Sequence, residues 1–297
     1  MITLSHRDLR LELLPELGAS IASFKQDDFA IFRETSPEAI AARDGRAFSY
    51  FPLIPYSNRI RHGAFCFAGQ RYNLTRDDED PRHALHGTAR FHAWRLVEQA
   101  ADRARCEFAF PGHNPEWPFP YEAWQVFTLA ADRLVIEIGV RNTHSAPAPA
   151  GLGLHPYFIR HQSVLAQFNA AYVWEKDAED IPLRSVPDTG RFDFGRGHAI
   201  SQADLIDHAY GGWDQRAVIA WPRQKRRLLI QADPIFRDVI LYTPVGREYF
   251  AMEPVTHRPD AINPTDDPKD APMTVLPPNG ALSGRVAFIL SSLNGTP

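Results

Sequence analysis

The chain is poor in most features that mark common protein classes. Its 297 residues include only two cysteines, Cys66 and Cys106. A secreted disulfide framework would use more, so a reducing compartment fits better, with pairing of the two left open. No run approaches the roughly 18 apolar residues of a membrane span. The opening, MITLSHRDLRLELLPEL, carries charges throughout and lacks the apolar stretch of a signal peptide. A cytoplasmic protein with no membrane partner is expected. Net charge is −4, and the one compact basic block is KRR at 225–227, which reads as a solvated strand or turn. Nucleic acid is therefore not an expected partner, since phosphate binding needs a clustered basic surface. GxSxG, GxGxxG and GxxxxGKS/T are all missing, which argues against an elbow-type serine nucleophile and nucleotide-dependent chemistry.

Helical periodicity is scarce too. PEAIAARDG (37–45) and ADLIDHAYGG (203–212) are the two short helix candidates, each ending at glycine. What the chain has instead is alternation. LVIEIGV (134–140) sets Leu134, Ile136, Ile138 and Val140 on one face. WQVFTL (124–129), AVIAW (217–221), RLLIQA (227–232), RDVILYT (237–243) and RVAFIL (285–290) read as further strands. AADR (130–133) supplies a turn, and the opening reads as two strands joined near Pro15 and Gly18. The 25 prolines sit between short apolar runs, as turn and edge punctuation. Many short strands in one chain without a linker suggest a large β-sandwich or barrel, with 1–297 as a single unit. PAPAG (147–151) is the most linker-like stretch, and it is short.

Polar groups collect in a few places. GLGLHPYF (151–158) frames His155 with two glycines and a proline. Pro156 holds His155 in extended geometry, and the glycines allow close approach of backbone or ligand. Glu253 follows the apolar run Tyr249–Met252 and precedes Pro254. Partial desolvation there raises proton affinity and suits a general base, although on the stretch alone a strand-end glutamate paired with Arg258 or another arginine is the favoured reading. HALHGTARFHAW (83–94) contains His83, His86 and His92, but the spacing is no usual zinc pattern, so no metal is expected. Arg59 and Asp214 could grip vicinal hydroxyls or simply pair with each other. Cys66, in FCFAG, reads as a packed residue. Asn294-Gly295-Thr296 matches a glycosylation sequon without other signs of secretion.

Taken in order, SNRI (57–60), HALHG (83–87), GLHPYF (153–158), GWD (212–214) and EPVTHRPDAIN (253–263) resemble the motifs of the aldose 1-epimerase, galactose mutarotase-like family. The resemblance spans about residues 50–265. It implies an all-β fold, a large antiparallel β-supersandwich, and no cofactor. It implies that His155 is the general acid at the sugar ring oxygen and Glu253 the general base at the anomeric hydroxyl, facing each other across a gap one pyranose wide. His86, Arg59, Asn58 and Asp214 would hold the substrate, a monosaccharide. Two departures bear on which sugar: PLIPYSNRI lacks the Gly-Arg pair usual upstream of NRI, and Thr88 follows Gly87 where HGG is usual. Arg59, Arg61, Arg71 and Arg90 leave a phosphorylated hexose as an alternative, and a non-catalytic carbohydrate-binding protein is a third reading. A monomer or a homodimer would suit either enzyme.

Overall fold

The computed structural model describes residues 1–293 except Glu79, Gln162, Gln202 and Asp204. Two large antiparallel sheets carry the fold. The first has eleven strands, running Ile2–His6, Leu9–Leu14, Ser20–Gln26, Tyr50–Leu53, Gly153–Ile159, Tyr249–Val255, Asp238–Thr243, Ile206–Gly211, Tyr172–Lys176 and Pro182–Pro187, with Phe29–Ala30 beside Ser20–Gln26. The second has nine: Arg95–Gln99, Arg103–Phe110, Tyr121–Ala130, Arg133–Asn142, Ala281–Ser292, Arg226–Ala232, Arg216–Trp221, Leu165–Phe168 and His198–Ala199. The expected antiparallel β-supersandwich is the fold observed.

Alternation decides which residues hold the sheets together. Tyr50, Leu154, Met252 and Leu241 of the first sheet join Phe127, Ile136, Ile138, Ile230 and Phe288 of the second in one buried cluster. Phe32 meets Phe288 edge-on at 5.3 Å, and Tyr50 donates its hydroxyl to Gln125 Oε1 at 2.6 Å across the interface. Burying a side chain of this size contributes about 1.5–3 kcal/mol, so many such contacts outweigh the ordering of the loops. The intervening residues of the first sheet must face the other way. Phe51, Leu53, Val255, Ile240, Ala209 and Trp174 form a separate cluster on that outer face. His155 and Glu253 belong to it by parity.

Three local expectations differ from the structure. The opening makes three strands rather than two, because a turn at Arg7-Asp8 splits the first run. Residues 206–211 are a strand, not a helix: full pairing with Asp238–Thr243 outweighs a weak local preference. Residues 148–150, in the most linker-like stretch, are a buried strand paired with Thr274–Leu276, in keeping with a chain that has no linker there. Cys66 is exposed on the Ala64–Phe67 hairpin strand, where alternation sends Phe65 inward; Cys66 and Cys106 are both free thiols. The helix at Pro37–Ala41 is one short turn, capped by Ser36 accepting from the Ala39 N–H at 3.2 Å. The Asn294 sequon lies outside the described residues. Among the described residues, no helix is long and apolar enough to cross a membrane.

Candidate active site

The outer face of the first sheet can be read as rows of laterally paired residues. Phe51 is opposite His155, and Ile240 is opposite Glu253. Gly153 pairs with Val255 and Tyr157 with Ala251, so the residues between them, His155 and Glu253, are cross-strand neighbours. His155 Nε2 lies 3.2 Å from Glu253 Oε1. The pair is in contact rather than separated by a sugar-wide gap, because antiparallel strands only about 4.8 Å apart carry the two side chains on one face. Both are buried, at 5% and 2% side-chain exposure. His155 Nδ1 and Glu253 Oε2 find no hydrogen-bond partner among the described residues. Such orphaned polar atoms are costly and rare away from functional positions.

Burial sets the electrostatics. Desolvation drives the His155 imidazole well below its ordinary range, helped by the charges of Arg90 and Arg33. Desolvation pushes the Glu253 carboxyl well above its own, with Asp207 adding to the rise and Arg59 opposing it. Both shifts disfavour charge, so burial favours neutral imidazole beside protonated carboxyl, the pair sharing one proton.

His86 stands over this pair, its ring 5.1 Å from the His155 ring at 84° and 5.7 Å from Phe51. His86 and Asn58 both have left-handed backbones, φ 62° and 56°. They lock each other: the Asn58 N–H donates to His86 Nδ1 at 3.2 Å, and the His86 N–H donates to the Asn58 carbonyl at 2.9 Å. An Nδ1 that accepts leaves Nε2 to carry the proton, so neutral His86 is a fixed Nε2–H donor. Burial and the neighbouring His155, Arg90 and Arg59 keep it neutral by lowering its proton affinity well below normal. Gly87, at φ 71°, permits the turn: a Cβ there would sit 2.1 Å from the Ile54 carbonyl oxygen. Asn58 Oδ1 accepts the Arg59 N–H at 2.9 Å, and Arg59 Nε donates to Asp80 at 2.8 Å.

Asp214 is not brought to this cluster. Its carboxylate is exposed, accepts from Asn169 Nδ2 at 2.9 Å and caps the Arg216 N–H at 3.1 Å. Among the described residues it bonds to none of the other five candidates, and Arg59 pairs with Asp80 instead. A three-residue motif could not tell a turn cap from a substrate ligand. The aspartate that does share the face of Glu253 is Asp207, opposite Tyr242 and bound to Lys176 Nζ at 2.7 Å. Reading 203–212 as helix concealed it; period two puts Asp207 and Ala209 on one face.

Residues beyond Glu253 organise the site rather than line it. His257 Nε2 accepts the Ser57 N–H at 3.3 Å, while its Nδ1–H donates to the Arg258 carbonyl at 2.7 Å. Asp260 donates its N–H to the Arg59 carbonyl and accepts the Arg61 N–H, at 2.8 and 3.0 Å. Arg258, buried, is clasped by both Asp270 oxygens at 2.6 Å. The long run after Glu253 is thus a brace for SNRI. The three histidines of 83–92 diverge: His83 Nε2 meets the Glu179 carbonyl at 2.9 Å, and His92 reaches Glu116 at 3.5 Å. No group of three or more His, Cys, Asp or Glu among the described residues is arranged to hold a metal ion.

Comparison with known proteins identifies the family and the fold. The family model for aldose 1-epimerase matches residues 1–288. The chain belongs to the aldose 1-epimerase family. Among curated relatives, the uncharacterized protein YphB of Escherichia coli K12 is 26% identical over 273 residues, covering 87% of this chain and 88% of that protein. Two crystal structures share the fold: a galactose mutarotase-like protein from Clostridium acetobutylicum (TM-score 0.86, 18% identity, 98% and 94% of the chains covered) and a GalM/aldose epimerase homologue from Caenorhabditis elegans (TM-score 0.85, 16% identity, 99% and 99%). Membership of the aldose 1-epimerase family supports an isomerase activity and a sugar substrate.

Proposed function

We propose that the protein is an aldose 1-epimerase that interconverts the α and β anomers of an uncharged aldose. The observation that carries this reading is the buried contact between His155 Nε2 and Glu253 Oε1, at 3.2 Å, on the outer face of the sheet beside His86.

The chemistry needs two proton transfers at one carbon. Glu253 takes the proton of the anomeric hydroxyl as the C1–O5 bond breaks, and His155 gives a proton to the departing ring oxygen. Each such transfer contributes about 10²–10⁴ in rate. The singly protonated pair suits this cycle. Imidazolium with carboxylate is the form that opens the ring, reached from the neutral pair that burial favours by one proton transfer across the 3.2 Å contact; neutral imidazole with carboxylic acid is the form after opening. Proton count and net charge are the same in both, so a desolvated site does not oppose the step. Rotation about C1–C2 presents the other aldehyde face, and the transfers reverse. The fixed Nε2–H of His86 and the guanidinium of Arg59 are suited to hold hydroxyls, with Asn58 setting the backbone beneath both.

The arginines near the motifs favour an uncharged sugar over a phosphorylated one. Arg59 is bound to Asp80 at 2.8 Å, Arg90 to Asp77 at 2.8 Å, and Arg61 to Asp177 and Glu179. Arg71 is exposed on the hairpin strand Gln70–Asn73. The charges of Arg59, Arg61 and Arg90 are thus already matched by carboxylates. A purely binding role leaves the cost of burying an acid and a base together unexplained. The test is polarimetry of fresh α-anomers over a sugar panel with the matching 6-phosphates. Catalysed mutarotation of free sugars is expected; sugar binding without rate enhancement would leave a binding protein.

A further inference from the structure

The row that holds the pair continues past it. Phe51 lies beside His155, ring centroids 4.5 Å apart, and Ser20 follows Phe51 because Ile21 pairs with Tyr50. The order across the sheet is therefore Ser20, Phe51, His155, Glu253. A cavity of about 490 Å³ opens at the Ser20–Phe51 end. The Phe51 side chain is both a wall of this cavity and the ring packed on His155. Ser20 is also on its wall, fully buried, with an Oγ that has no hydrogen-bond partner among the described residues. Phe91, 62% exposed, stands at the cavity with Arg90 beneath its ring at 4.4 Å.

The proposed chemistry orients the substrate along this row. Glu253 addresses O1 and His155 addresses the ring oxygen. The bond sequence from O1 through C1 and O5 then leads to C5 and C6, away from Glu253 and toward Phe51. Whatever is attached at C6 is directed at the cavity. Its lining identifies the class of attachment. Arg46 is paired with Asp44 at 2.8 Å and Arg90 with Asp77 at 2.8 Å, and Arg43 and the exposed Asp78 balance in sign. Phe48, Phe51 and Phe91 add aromatic surface. Matched charges with aromatic faces suit a neutral polyhydroxylated ring, with hydroxyls bonding to paired ions and carbons stacking on phenyl faces; a phosphate would need net positive charge.

We infer that the cavity bounded by Ser20, Phe51, Arg90 and Phe91 is a second sugar subsite, which holds the 6-linked outer residue of a reducing disaccharide while its reducing unit reacts at His155 and Glu253. This rests on the epimerase reading and extends it. The experiment compares initial mutarotation rates on glucose, a 1→6-linked glucose disaccharide and a 1→4-linked one, for the wild type, Phe91→Ala and Ala42→Trp. Phe91 is exposed and Ala42 lies at the surface on the cavity wall, so neither change threatens the core. The wild type is expected to give the 1→6 disaccharide a kcat/KM at least equal to that of glucose and several-fold above that of the 1→4 isomer. Phe91→Ala is expected to lower the 1→6 value about three- to tenfold, as loss of one aromatic stacking contact would, and Ala42→Trp to lower it at least as much by filling the cavity; both leave glucose unchanged. Equal rates on both disaccharides, or equal losses on glucose and the 1→6 disaccharide, would overturn the subsite while leaving the epimerase intact. Failure of the wild type on all three sugars would instead remove the epimerase reading on which the subsite stands.

Discussion

His155 and Glu253, 98 positions apart in the chain, meet at 3.2 Å because their strands pair in a register that sets them side by side. On the proposed reading the contact is an acid–base device, and by its burial it is also a burden on the fold.

Glu253→Gln and His155→Asn each keep the shape and remove a transferable proton site. Each is expected to lower kcat about 10²–10⁴-fold. Polarimetry on a fresh anomer measures this, and circular dichroism checks that the sheets persist. Wild-type rates in either variant would exclude that residue from the reaction.

The pH–rate profile should be bell-shaped with a broad plateau. The active form holds one proton on the pair. Acid inactivation is gain of a second proton, held down by the lowered His155; alkaline inactivation is loss of the shared proton, held up by the raised Glu253. Asp207 contributes to that rise. Asp207→Asn should therefore move the alkaline limb to lower pH. A limb that stays in place would mean that Asp207 does not act on Glu253 electrostatically.

Stability should carry the same signature. The folded proton affinity of Glu253 is above its unfolded value, so its contribution is full below the unfolded pKa and is lost as pH rises through the folded one. Glu253→Gln has no proton to lose. Its stability advantage over the wild type should widen as pH rises above the ordinary glutamate range, measured by denaturant unfolding at several pH values. A constant difference across pH would contradict the raised value.

Gly87→Ala tests the turn that presents His86. The new Cβ would be 2.1 Å from the Ile54 carbonyl oxygen at a backbone φ of 71°. A non-glycine residue in that region costs about 1–3 kcal/mol, with the clash in addition. A lowered melting temperature and weaker substrate binding are expected together. An unchanged melting temperature would mean that the turn relaxes freely.

Much of the fold was open to a reading of residues alone. The hairpin Tyr121–Ala130 and Arg133–Asn142 follows from alternation around AADR, and the strands near 217–243 and 285–290 follow likewise. Polar residues of the site were legible where the local frame was unusual, as at His155 between glycines and proline. They were not legible where the cause was remote. Asp80, Asp207, His257 and Asp260 look ordinary in sequence; each matters through a partner 21 to 200 positions away. Asp214 shows the converse, since a suggestive neighbourhood ended as a cap on its own turn.

By itself, the order of residues determined the period-two pattern, and hence a large β-sandwich or barrel with one apolar and one mixed face on the strands of the site. Those are consequences of side-chain geometry along a single strand. Which polar groups share the mixed face, that acid and base touch, and that a cavity lies at the end of their row were decided only when the strands took their lateral order. Pairing register is a property of two segments at once, and neither segment contains it alone.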